Sequence, residues 1–185
     1  KSSKKRKAEG EQAGPKVVKV RKKTRKNREM ESRILSKQLA EQGLRLVEIP
    51  ADGHCLFSAI SDQLKRTGYP TEHTHKSLRR LAAEYMLEHE DHFRHFLSLE
   101  KNASANAFQA YCRRIEKTNA WGGQHELIAL CHVLKRDILV LRHDMSQQQF
   151  PDPETHPQYG GPPLRLSYHM HEYSGGEHYN SVVSL

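Results

Sequence analysis

Three cysteines occur among the 185 residues, and one of them stands where a thiol can act as a nucleophile. Cys55 follows the turn-forming run Pro50-Ala51-Asp52-Gly53 and opens an apolar helical period, with Leu56, Ile60 and Leu64 at i, i+4 and i+8. A thiol at a helix start lies near the positive end of the helix dipole, which is expected to lower its pKa and favour the thiolate. Backbone N–H groups at such a start can also face a developing oxyanion. A cysteine nucleophile needs a base, and the base can be far away in sequence. His178 fits best: it follows the Gly175-Gly176 turn and begins a last apolar run. Asn180 stands two residues on, on the same face of a strand, where it can bond the far nitrogen of the imidazole and fix its tautomer. Taken alone, a cysteine at a helix start is more often a small buried hydrophobe.

The other chemical groups carry weaker signals. Cys112 and Cys131 fall within helical patterns and read as packed side chains. Thirteen histidines invite a metal reading through His73/His75, His169/His171 and His89/His92/His95. No CxxC or HExxH spacing accompanies them, so a surface-histidine reading suffices and no metal is expected. His54, beside Cys55, diverges from it at a helix start and reads as structural. The absence of a Walker loop and a Rossmann glycine fingerprint means no cofactor is implied.

The elements that must position these residues form an α+β pattern. Residues 44–49 (LRLVEI) read as a strand and 55–65 as a helix. Residues 76–97 read as one or two helices, 105–115 as a short helix and 124–134 as another. Residues 137–141 (DILVL) suit a buried strand, and 164–168 and 181–184 are two more, the last preceded by a turn at 174–176. The polar, Pro- and Gln-rich stretch 145–163 reads as a loop. A small sheet flanked by helices is the expected layout.

Charge divides the chain. Residues 1–37 hold 15 Lys/Arg against 4 Asp/Glu, whereas 38–185 hold 15 against 18 and all the histidines. Residues 1–28 read as a basic, largely disordered arm, and 29–43 as a helix, with Met30, Ile34, Leu35 and Leu39 periodic and Gly43 as its stop. The run Lys19, Arg21, Lys22, Lys23, Arg25, Lys26, Arg28 suits a polyanion, most plausibly RNA or a ribonucleoprotein surface. Two other readings stand beside it: a nuclear-entry signal at Lys4-Lys5-Arg6-Lys7, and a solvated tail without a partner. No apolar run approaches a bilayer span, and the basic start lacks the apolar core of a secretory signal. The odd, low cysteine count fits a reducing, cytoplasmic setting. The leading residue is Lys1, which suggests a piece of something longer.

Three blocks carry a family resemblance. Asp52-Gly53-His54-Cys55-Leu56-Phe57 resembles the Cys-loop of the OTU (ovarian tumour) family of cysteine deubiquitinases. Trp121-Gly122-Gly123-Gln124-His125-Glu126-Leu127 resembles the segment after that family's variable loop, and Gly176-Glu177-His178-Tyr179-Asn180 its His-loop. All stand in family order within residues 44–185, which would be the OTU catalytic domain of papain-like α+β fold. With residues 31–49, they resemble the OTU domain-containing protein 6 branch, which includes fungal ribosome-associated members.

The resemblance implies a thiol-dependent deubiquitinase that needs no cofactor, with ubiquitin or polyubiquitin as partner. Cys55 would be the nucleophile and His178 the general base and acid. Asp52 would shape the oxyanion hole or orient His178, a role Asn180 could fill instead. Trp121, Gly122, Gly123 and Tyr179 would line a channel for the ubiquitin tail, although Trp121 could equally be a core anchor. Residues 1–37 could reach a small ribosomal subunit or RNA, and a monomer is expected. Two rival readings are a non-catalytic ubiquitin-binding adaptor and an RNA-binding protein with a scaffold body.

Overall fold

A computed structural model describes residues 15–95, 106–144, 146–173 and 176–185. Helix α1 spans Pro15–Glu41, so it starts well before the helix expected over 29–43. The expectation of a largely disordered arm gives way to helix from Pro15 onward. Proline suits a first helical position, and Lys, Arg, Glu and Met lose little side-chain freedom in a helix. Residues 1–14, with the Lys4–Lys7 cluster, lie outside the described residues, as do the side chains of Lys19, Arg21, Lys22, Lys23, Arg25 and Arg28.

One stripe of α1 is buried: Glu31, Leu35 and Leu39, at i, i+4 and i+8. Leu35 and Leu39 pack with Leu141 and Val182, and Leu44 and Leu46 close the edge of this small cluster. The helix thus covers one face of the sheet. The opposite face carries the main core.

The sheet has five strands in the order β1-β5-β4-β2-β3. They are β1 (Leu44–Val47), β2 (Ile138–Arg142), β3 (Gln147–Phe150), β4 (Leu164–Tyr173) and β5 (Gly176–Ser184). Only β2 and β4 run parallel; β1/β5, β4/β5 and β2/β3 are antiparallel. Strand β3 lies inside the stretch expected to be a loop. Three glutamines in a row give no alternation of apolar and polar residues and hid it; the β2 ladder and the burial of Phe150 hold it in place. Strands β4 and β5 also extend well beyond 164–168 and 181–184. The Ser174-Gly175 turn lies outside the described residues, and Gly176 already belongs to β5.

Helices α2 (Cys55–Arg66), α3 (His75–Glu88), α4 (Glu90–Arg94), α5 (Ala107–Lys117) and α6 (Gln124–Leu134) pack on the main-core side. Phe57, Ile60, Leu78, Met86, Phe108, Ile115 and Leu130 are all buried there with Leu164 and Leu166 of β4. Each such side chain contributes roughly 1.5–3 kcal/mol on leaving water. Buried Gln63 of α2 ties this layer to the sheet. Its Nε2 donates to Ser181 Oγ and the Val182 carbonyl (both 2.8 Å), and its Oε1 accepts from Arg165 N–H (2.8 Å). No helix among the described residues is long and apolar enough to cross a membrane.

Candidate active site

Strand β1 stops at Val47, opposite Ser181, so β1 leaves the outer edge of β5 unpaired before Ser181, and the chain from β1 into α2 meets it there. Contacts from the loop and from the start of α2 reach this edge. The Ile49 N–H donates to Asn180 Oδ1 at 2.8 Å, and the Tyr179 N–H is directed at the Cys55 thiol. Cys55 therefore meets β5 one residue from His178.

The register pairs His169 with His178 and Ser167 with Asn180, so these four side chains share one face of the sheet. Their even spacing on β5 continues to Val182, which packs under α1, so this is the α1 side. His178 and Asn180 are buried, and His178 Nε2 lies 3.1 Å from Asn180 Oδ1. The Asp52 carboxylate does something else: it accepts the His54 N–H at 2.8 Å and holds the Cys-loop turn. Of the two groups expected to orient His178, Asn180 supplies that hydrogen bond.

Cys55 is the least enclosed of the three thiols, yet it is still only 9% exposed. Burial pushes its pKa up, with Asp52 adding to the rise. The backbone N–H groups of Tyr179, Leu56 and Cys55 itself pull the other way. The expected lowering at the helix start is overridden, because desolvation of the thiolate outweighs the donors around it. Burial pushes Cys112 to about 11 and Cys131 to about 12, and Cys131 donates to the Ile128 carbonyl, so both stay thiols.

The Cys-loop is clamped from beneath by Arg79, which is 1% exposed on α3. Its Nη2 donates to the Gly53 carbonyl (2.7 Å) and the Ala120 carbonyl (2.8 Å), its Nη1 to the Ile115 carbonyl (2.9 Å), and its Nε to His54 Nδ1 (3.0 Å). The guanidinium also lies 4.2 Å from the Phe57 ring centroid. Its bond fixes His54 as a neutral acceptor, and burial, Arg79 and His75 all hold the pKa of His54 down. His54 stacks on His75 and serves the loop rather than the thiol. Gly53 is required here: its φ is +82°, and a Cβ would sit 2.5 Å from the Asn119 carbonyl oxygen.

Trp121 is 51% exposed, so the core-anchor alternative is excluded. A Cβ on Gly122 would meet Leu56 and Phe57 at 2.8–3.0 Å, so glycine lets this backbone lie against α2. The Gly123 N–H donates to Glu126 Oε2 (2.6 Å), while Tyr111 donates to Glu126 Oε1 (2.6 Å). Gly123 and Tyr179 both line a cavity of about 220 Å³, with Gln124, Arg142, Tyr168 and Glu177 around it. Tyr179 itself is buried against Tyr168, so it walls the cavity rather than projecting into it.

A family model described as OTU-like cysteine protease matches residues 50–179, which include the Cys-loop, the 121–127 segment and His178. The chain belongs to this OTU family. It is 41% identical over 161 residues to human "Deubiquitinase OTUD6B", covering 85% of the chain and 53% of that relative. It is 33% identical over 160 residues to "Ubiquitin thioesterase otu2" of Schizosaccharomyces pombe, covering 83% and 50%. The OTU chain thus spans about half the length of the curated relatives it matches. A solved OTUD1 OTU domain superposes with a TM-score of 0.65 at 24% identity, covering 86% of this chain and 98% of that one. An OTU domain solved in complex with ubiquitin superposes at 0.56 and 20% identity, covering 76% and 69%. The OTU fold expected from the motifs is therefore the fold observed.

Three residues of the site escaped the sequence reading. Arg79 had a signal: it falls on the same helical stripe as Ala82, Ala83 and Met86, where a charge should stand out. Glu126 sits inside the 121–127 block without an assigned role. His169 was expected to be a surface histidine, but it is 2% exposed. Strand alternation placed it on a face that is solvated only if nothing covers it, and α1 does. Among the described residues no group of three or more His, Cys, Asp or Glu side chains is placed to hold a metal ion.

Proposed function

We propose that this chain is a deubiquitinase that hydrolyses isopeptide bonds at the ubiquitin C-terminus through Cys55. The observation that carries this reading is the meeting of the Cys55 thiol with β5 at Tyr179, one residue from a histidine already bonded through Nε2 to Asn180. With Nε2 as donor, His178 keeps Nδ1 as the base. It takes the thiol proton as sulfur attacks the carbonyl carbon of the ubiquitin terminal glycine. The Cys55 backbone N–H, at the free start of α2, faces the oxyanion. His178 then gives its proton to the leaving lysine amine, and water hydrolyses the thioester. The cavity that Gly123 and Tyr179 line would take the ubiquitin tail, with Trp121 exposed beside Gly122 on its approach. The relatives named deubiquitinase and ubiquitin thioesterase support the substrate class.

Ubiquitin carrying a C-terminal electrophile tests this. A covalent adduct should form with the chain, vanish in Cys55→Ala, and form more slowly in His178→Ala by at least ~100-fold. A second reading, an adaptor that binds ubiquitin without cleaving it, is favoured by the burial and raised pKa of Cys55. Ubiquitin binding with no adduct would select it.

The cationic run of α1 docks the enzyme on a ribosomal or other RNA-containing substrate in the cytoplasm. The support is the charge of residues 1–37. Affinity for single- or double-stranded RNA should fall steeply with salt. An unchanged affinity and salt slope after deletion of residues 1–28 would remove this part of the reading.

A further inference from the structure

The hydrogen bonds of Asn180 fix which end of its amide is which. Its Oδ1 takes the Ile49 backbone N–H at 2.8 Å, and a backbone N–H can only donate, so that atom is the oxygen. The same oxygen faces His178 Nε2 at 3.1 Å, which must then carry the proton. The other end, Nδ2, is a donor without lone pairs, and it faces His169 Nε2 at 3.3 Å. For that contact to be a hydrogen bond the nitrogen must be unprotonated, and the Ser167 hydroxyl, 3.0 Å away and able to donate or accept, then shares its lone pair as a second donor. The ring of His169 lies 6.4 Å from that of His178, across the β4/β5 ladder.

We propose that His169 is a positioning residue: its unprotonated Nε2 holds the Asn180 amide in the orientation that keeps the His178 proton on Nε2 and leaves Nδ1 as the base for Cys55. This rests on the reading of Cys55, His178 and Asn180 given above. A proton on His169 Nε2 would oppose the Asn180 N–H. Turning the amide over would set its NH₂ against both Ile49 N–H and His178 Nε2–H, and both bonds would be lost. Burial holds the pKa of His169 at about 4, against the charge of Glu31 on α1; His178 on β5 and His143 after β2 add to the lowering. Glu31 also accepts the Met170 N–H at 2.8 Å, which ties α1 to β4 beside His169.

The test uses the full chain with a fluorogenic ubiquitin substrate. His169→Leu should lower kcat at least tenfold with KM changed less than twofold, whereas His169→Gln, whose side-chain oxygen can accept, should restore most of it. A carboxylate has no wrong end, so in an Asn180→Asp background His169→Leu should cost less than threefold. Independently of turnover, ¹⁵N NMR should show His178 as the Nε2–H tautomer in the parent and a tautomer mixture in His169→Leu. Parent-like kcat in His169→Leu, an equal cost in the Asn180→Asp background, or an unmixed tautomer in a folded His169→Leu would each overturn the proposal. Full turnover in His178→Ala would instead overturn the reading of the site on which it rests.

Discussion

The two halves of the site are held by opposite means. The cysteine half hangs on a permanent cation: Arg79 sends its donors to the Gly53, Ile115 and Ala120 carbonyls and to His54. The histidine half is held by neutral groups: an amide, an imidazole of lowered pKa and a hydroxyl, with a carboxylate from α1 behind them. An arginine fork keeps its protons at any working pH, so the first half is a fixed platform. The second half works only in one pattern of donors and acceptors, so it should respond to pH and to single-atom changes. Cys55 is thus fastened more firmly than His178 is oriented.

The largest effect should come from removing the platform. Arg79→Met leaves three carbonyls and a histidine nitrogen without their donor, at ~1–3 kcal/mol for the buried Ile115 carbonyl and less for each of the three half-buried acceptors. We expect a loss of more than ~4 kcal/mol in urea unfolding, with activity gone before the fold is. Arg79→Lys should recover part of the stability but little activity, because an ammonium cannot span four acceptors in the plane of a fork. A loss under ~1 kcal/mol in Arg79→Met would show that the clamp is decorative.

The resting thiol sharpens the comparison next. Burial raises the Cys55 pKa, so the thiolate is a minor species at neutral pH until substrate enters. The rate of alkylation by iodoacetamide should climb ~tenfold per pH unit up to and beyond pH ~9. A plateau below pH ~7 would mean that a thiolate–imidazolium pair already exists at rest, and the fixed half would then depend on the titrating half.

Much of this site is legible in the residue pattern, and the remainder is not, for physical reasons. Cys55 at a helix start and His178/Asn180 at i, i+2 follow from local periodicity, which records how a segment faces its own surroundings. The clamp and the lock are contacts between α3 and two loops, and between β4, β5 and α1. Periodicity can show that Arg79 lies on a buried stripe, but not which acceptors it finds. It cannot show that His169 is covered, because the cover is a helix more than a hundred positions away in sequence. Strand β3 was hidden for a related reason: its glutamines are held by the β2 ladder, not by their own preference.

On the histidine side, a folded-state pKa for His169 of about 4 against an ordinary 6.5 makes it a stability switch. The folded form binds the proton less well, so the stabilisation is complete above pH 6.5 and is lost as pH falls toward 4. The loss reaches about 3 kcal/mol at most. Chemical unfolding of the parent and of His169→Gln over that range should show the parent losing stability more steeply. Parallel curves would mean that His169 takes up no extra resistance to protonation on folding.

The smallest effect should come from the helix behind the lock. Glu31→Gln keeps an oxygen to accept the Met170 N–H, so stability at pH 7 should change by less than ~1 kcal/mol. It removes the negative charge that favours a protonated His169 and that lies 3.3 Å from His143 Nδ1. The His169 midpoint, followed by its ring-proton NMR shift, should therefore move below the parent value. A midpoint that stays or rises would place the influence of α1 in packing alone. In that case the helix would matter to His178 through Leu35 and Leu39, which hold it over β5, and not through the carboxylate.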